Sequence, residues 1–286
     1  MLTAAATGVL IVFGGLVTNT GAALAVPDWP STFGHNMFLF PWSQMVGGVF
    51  YEHSHRLLGA LVGALTVALA LALWPHGGRL RALGLLAVVA VVAQGVIGGL
   101  RVVFQTDALA LVHGPLAQAF FALVVALALV TSARMRRPAV TVEAGTRALT
   151  LAAALLVYVQ IVFGALLTHA GRLDLHLAGA VAVFVLVPMV TARLRRTGDP
   201  VAAPTARVLL GLLGVQLLLG VGAYLARFSA VWIPGGQATM LALPVAHRLA
   251  GGLILAAAVV LPVRVLAGAR PAAAAMPAPG ALGVAR

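Results

Sequence analysis

The chain has no cysteine and no lysine, and only six acidic residues among 286. Without cysteine, structural disulfides, thiolate metal sites and covalent haem attachment through Cys-x-x-Cys-His are excluded, so any metal cofactor must be held by histidine. Charged residues make up 8% of the chain against 62% hydrophobic, with mean hydropathy +1.08. Soluble chains carry about 25% charged residues, so a soluble domain is excluded as well. With lysine absent, the formal charge of +12 rests on 18 arginines. Those arginines gather in loops, where they report topology; they do not form a nucleic-acid groove.

What the chain does have is long apolar runs. Crossing a hydrocarbon core of roughly 30 Å takes about 20 residues, and counting such runs predicts helices over 4–25, 52–74, 82–101, 108–130, 148–169, 173–192, 206–226 and 243–266. Ala23-Leu24-Ala25 resembles a signal-cleavage site. However, Ile11–Gly21 matches Ile161–Gly171 at a constant offset, so the first run is expected to be an integral helix. Arg79 and Arg81, the run Arg134, Arg136 and Arg137, the run Arg193, Arg195 and Arg196, and Arg264 with Arg270 follow helices two, four, six and eight. By the positive-inside rule those segments and both termini are cytoplasmic, and even-numbered helices begin at the outer face. The fold expected is an all-α integral membrane protein: eight transmembrane helices as two tandem pseudo-symmetric four-helix bundles, 1–138 and 139–266. An Ala/Pro/Gly-rich cytoplasmic tail over 267–286 reads as disordered. The long outer connection of about 26–51, with Trp29 and Trp42, is expected to lid the outer surface.

Polar chemistry concentrates in Glu52-His53-Ser54-His55-Arg56. On a helix Glu52, His55 and Arg56 share a face and His53 points elsewhere. Downstream, Gln94-x-x-x-Gly98, Gln160-x-x-x-Gly164 and Gln216-x-x-x-Gly220 lie on helices three, five and seven, each followed by an outer loop and a helix opening with histidine. Those histidines are His113, His176 and His247, joining His55. Four histidines at equivalent repeat positions, two per bundle and in the first two turns of their helices, fit bis-imidazole ligation of one haem in each half. Helix N-termini at the same depth favour propionates. Arg56 and Arg248, each directly following a ligand histidine, are expected to bind them bidentately. Gly59, Gly179 and Gly251 lie one turn below, where a flat macrocycle could approach the backbone. Pro115 is expected to reshape the opening of helix four. The glutamines could donate to a cofactor or a ligand imidazole, but the expectation is interhelical hydrogen bonding. His35, His53, His76 and His169 carry no assigned role.

Together Glu52-x-x-His55-Arg56 and the histidines opening helices four, six and eight resemble the haem A synthase family, membrane enzymes that make the haem of terminal oxidases. The resemblance covers about 4–266. It implies that haem O is the substrate and that its ring methyl is oxidised to a formyl through a hydroxylated intermediate. His55 and His113 would ligate the substrate haem in the first bundle, His176 and His247 a haem b in the second, and Glu52 would be the catalytic carboxylate. It further implies a multi-pass location in the plasma membrane with haem sites toward the outer face, and partners among the haem O-producing synthase and oxidase assembly factors. Many relatives carry outer-loop cysteine pairs that this chain lacks, so a route needing a thiol is closed. The alternative from the residues alone is a dihaem b-type electron-transfer cytochrome, such as a quinol dehydrogenase subunit, in which both haems are permanent. A transporter would explain the parallel repeat but not the recurrence of histidine at one depth.

Overall fold

A computed structural model describes residues 1–268. Among them the chain forms eight long helices and no strand, only one isolated bridge between Thr32 and His35. The helices are α1 (Leu2–Asn19), α2 (Gly47–Leu73), α3 (Gly78–Phe104), α4 (Ala108–Val130), α5 (Ala144–Ala170), α6 (Leu173–Leu194), α7 (Ala202–Phe228) and α8 (Gly236–Ala267). All eight are long and apolar enough to cross a membrane. The chain is thus an all-α multi-pass membrane protein.

Most helices outrun their apolar cores because a helix need not stop where hydrophobicity stops. α3, α5 and α7 extend at both ends, α2 begins at Gly47 and not 52, and α8 begins at Gly236 and not 243. α1 is the opposite case, ending at Asn19 where the apolar run predicts 25. Gly21 takes a left-handed backbone (φ +69°) and breaks it. The apolar residues beyond the break pack as a loop: Ala22 and Val26 are buried, and a Cβ on Gly48 would stand 3.0 Å from Ala25. Helix α4 runs unbroken through Pro115. The expected tail lies, from residue 269 onward, outside the described residues.

The helices pack in two rings. α1 meets α2, α2 meets α3, α3 meets α4 and α4 returns to α1; α5 through α8 repeat the order, with α8 returning to α5. Each ring has its own apolar core, one around Ile11, Val62, Ala87 and Val124, the other around Val157, Val187, Leu209 and Leu261. The seam is α8 against α1 and α4, with α4 against α5. α8 is the most enclosed of the eight, and its Leu249 and Ala256 belong to the first ring's core.

At one end of the molecule the seam carries a buried ion pair. Arg264 of α8, 1% exposed, donates from Nε to both Asp199 oxygens at 3.0 Å and from its other nitrogens to the carbonyls of Arg137 (2.9 Å) and Pro138 (2.8 Å). Asp199 also accepts the amides of Val140, Val201 and Ala202. The pair therefore fastens the α4–α5 linker and the α6–α7 turn to α8. Sequence alone reads Arg264 as a topological charge.

Candidate functional site

The four histidines come together in two pairs. His55 of α2 faces His113 of α4 with ring centroids 6.5 Å apart, and His176 of α6 faces His247 of α8 at 6.2 Å. One pair lies in each ring of helices. Because α2 and α8 start early, His55 falls in the third turn of its helix and His247 in the fourth, while His113 and His176 remain in the first two. The macrodipole acts within the first turn. It therefore favours negative charge nearer His113 and His176 than His55 and His247, which narrows the expectation for all four helices.

Each imidazole is backed by a glycine of the helix before it. A Cβ would stand 3.2 Å from His55 Cε1 at Gly14, 3.2 Å from His113 at Gly98, 3.5 Å from His176 at Gly164 and 3.1 Å from His247 at Gly220. Four residues before three of these glycines stands a glutamine, and each holds the ring. Gln160 Nε2 lies 3.2 Å from His176 Nδ1 and donates to the His176 carbonyl at 2.9 Å. Gln216 Nε2 lies 3.3 Å from His247 Nε2. Gln94, with its amide oriented to satisfy both neighbours, donates to His113 Nδ1 at 2.9 Å and accepts from Ala117 N at 2.8 Å. On α1 the equivalent position is Leu10, and Nδ1 of His55 is buried with no hydrogen bond, as is Nδ1 of His247. The Gln-x-x-x-Gly motif is therefore a seat for a histidine, one residue holding the ring and the other making room for it. The spacing was visible in the sequence, and of the two targets it offered the glutamines take the imidazoles.

Two imidazoles that held one ion between them at about 2 Å each, with the nitrogen about 1 Å from its ring centre, would have centroids roughly 6 Å apart. Both pairs match. An edge-to-face aromatic contact covers the same range, but it would not leave two buried ring nitrogens without partners. Among the described residues no three His, Cys, Asp or Glu side chains converge on a metal, so either pair offers an ion two imidazoles and no further side chain of these types. A Cβ on Gly59, one turn along α2 from His55, would meet nothing within 4 Å, which leaves room for a flat ring. Gly179 is already covered by Gln160 and Phe163, and Gly251 is neighboured by Gln216. The residues present fit haem.

Glu52 and Arg56 do share a face, and the structure turns that face toward the loop between α1 and α2. Arg56 donates to Glu52 Oε1 at 2.7 Å and to the carbonyls of Asp28 (2.7 Å), Ser31 (3.0 Å) and Val26 (3.1 Å). Glu52, 4% exposed, accepts Val26 N at 2.9 Å through Oε2. His53, buried, meets Thr32 at 3.1 Å and the Phe40 ring. Asp28 gathers Ser31, Phe33 and Gly34; burial pushes its carboxyl up, but the amides of Gly34 and Phe33 and the Ser31 hydroxyl bring it to a net value below the usual range. Trp29 lies against Gly99 of α3. Residues 26–40 are thereby locked onto the first ring of helices. His53, unassigned by sequence, is part of that lock. Arg248, by contrast, is half-buried and has no hydrogen-bond partner among the described residues.

A model of the COX15-CtaA family, cytochrome oxidase assembly proteins, matches residues 1–173. The chain belongs to that family. The family match contains Glu52, His55 and His113 and ends just before His176. Among curated proteins the chain is similar to a haem A synthase of Alkalihalophilus pseudofirmus, 36% identical over 113 residues, 37% of each chain. It is also similar to one of Shouchella clausii, 36% identical over 127 residues, 42% of this chain and 41% of that protein, and to one of Halalkalibacterium halodurans, 29% identical over 157 residues, 52% and 51%. The matched stretches thus span about half or less of the length of these relatives.

Proposed function

We propose that this chain is a haem A synthase, which oxidises the ring methyl of haem O to a formyl group and so makes haem A for terminal oxidase assembly. The observation that carries this reading is the two histidine couples, ring centroids 6.5 and 6.2 Å apart and one per bundle, within a family of oxidase assembly proteins whose similar curated members bear that name. His55 and His113 hold the substrate haem in the bundle of residues 1–138; His176 and His247 hold a haem b in the bundle of 139–266. Bound haem supplies the redox chemistry. His55, His113, His176 and His247 would hold the haems, Gln94, Gln160 and Gln216 would position three of those rings, Gly59 would leave space for the macrocycle, and Glu52 would be the one carboxylate beside it. Glu52, a turn outward from His55, accepts a proton as the methyl is oxidised, general-base assistance being worth about 10²–10⁴-fold in rate. Arg56 and the Val26 amide set its position. Because Arg56 is committed to the loop, the propionate role expected for both arginines is proposed for Arg248 alone of the two. The termini face the cytoplasm and the histidine pairs lie toward the outer side, by the arginine asymmetry. The oxidase assembly machinery and the enzyme that makes haem O are the expected partners.

Haem extracted from the purified protein tests the reading. The synthase yields haem O, its hydroxylated product or haem A beside haem B. Haem B alone would establish the electron-transfer cytochrome instead. Glu52→Gln should insert, keep haem B and accumulate haem O or the partly oxidised haem; a wild-type yield of haem A would leave Glu52 a loop anchor only.

A further inference from the structure

We infer that Arg101, Arg227 and Arg248 form an oxyanion seat at the seam between the two bundles, built for the propionate carboxylates of the haems that the histidine pairs hold; this rests on the haem reading above. The scarcity of acid decides it. Of the six carboxylates, Asp28 serves loop amides, Glu52 pairs with Arg56, Asp174 with Arg172, Asp199 with Arg264, and Glu143 stands before α5 in the linker that Arg264 clamps. Asp107 alone reaches the seam, 3.1 Å from Arg101, and it is exposed. Among the described residues Arg227 and Arg248 therefore pair with no carboxylate.

Their surroundings hold few acceptors among the described residues. Arg248 Nη1 lies beside Gly15 of α1, where a Cβ would stand 3.6 Å from it. Arg101 Nε is buried without an acceptor, and so is Asn19 Nδ2, whose oxygen is 3.5 Å from Arg227 Nη1. His169, at the end of α5, lies within electrostatic reach of all three arginines. Arg101 reaches the His55/His113 pair in the same sense, and Arg248 reaches His247 and Arg227. Donors from α1, α3, α7 and α8 thus gather beside both histidine pairs with one exposed acid among them. Like charges partly out of water repel, and unpaired donors there are costly. A ligand edge with two carboxylates removes both penalties, and guanidinium binds carboxylate in a two-pronged fit. A haem bound at either pair has such an edge. A lipid headgroup phosphate offers the same oxyanion chemistry, and the test separates the two.

The full chain is purified with its haem, as wild type and as Arg227→Gln and Arg248→Gln; Arg227 is exposed, so its variant does not threaten folding. Each variant should keep a bis-histidine spectrum, lose haem to excess apomyoglobin about 10- to 100-fold faster, and show a lowered reduction potential because a cation beside the haem is gone. Arg248→Lys should recover the potential but only part of the retention, since lysine brings charge without the fork. Wild type reloaded with the dimethyl ester of haem B, which lacks the carboxylates, should release it as fast as the variants do, and the substitutions should then add nothing. Equal retention of acid and ester, with haem loss depending on phosphatidylglycerol against phosphatidylcholine vesicles, would overturn the proposal in favour of a lipid phosphate. Unchanged haem loss in both glutamine variants would overturn it outright. A wild-type protein that takes up no haem would instead sink the haem reading on which it stands.

Discussion

At the scale of single residues, the histidines, glycines and glutamines form one recurring device. Removing His176 or His247 as alanine should lower bound haem B in the purified protein, whereas His55→Ala or His113→Ala should spare haem B and disturb only the substrate haem. An unchanged haem B spectrum in His176→Ala would dissolve the ligand assignment of the second bundle. Gln160→Leu keeps size and removes the polar contacts to His176, so haem B affinity should fall about 10–100-fold, the range for partners that orient a metal ligand. A haem titration equal to wild type would reduce Gln160 to interhelical packing. The histidines could be read from sequence because they recur after a recurring motif. The backing glycines could not, since a glycine does not show which neighbour it makes room for, and Gly59, Gly179 and Gly251 look alike in sequence while only Gly59 faces open space.

Between elements, the same construction appears twice: an arginine–carboxylate pair reads the backbone of an extended segment. Glu52 and Arg56 hold residues 26–31; Asp199 and Arg264 hold 135–140. The second pair makes a pH signature. Burial pushes the Asp199 carboxyl up, but the Arg264 guanidinium and the amides of Ala202, Val140 and Val201 outweigh it and hold the group at about 2. Because the folded value lies below the unfolded one, the stabilisation is complete above about pH 4 and is lost as pH falls toward 2, roughly 2 kcal/mol in all. Asp199→Asn strands a buried guanidinium and should cost about 3 kcal/mol near neutrality. In detergent, thermal unfolding of this variant and of wild type should converge as pH drops through that window. A constant gap would assign the stability elsewhere. Neither pair's full role is written locally. Asp199 and Arg264 are 65 residues apart, and the apolar stretch after Asn19 imitates a continuing helix until Gly21 is weighed.

For the molecule as a whole, composition alone gives the eight spans, and the offset repeat gives their grouping, because both are properties of long windows. Orientation is the part to measure. Reporter fusions after Arg81 and after Asp107 should give opposite answers, cytoplasmic for the first; matching answers would mean that a helix between them does not cross. The enclosure of α8 bears on how such a protein is made. Leu249 and Ala256 complete the core of the first ring, and Val245 lies against Gly15 of α1, so helices that enter the bilayer early must wait for one that enters after them. Until α8 arrives, α1 and α4 present small and apolar faces to lipid, and neither histidine pair has its full surroundings. On the haem reading proposed above, loading would follow completion of the chain and not accompany its synthesis. A chain halted before Gly236 should insert seven helices and retain neither haem, including the one whose ligands it already contains.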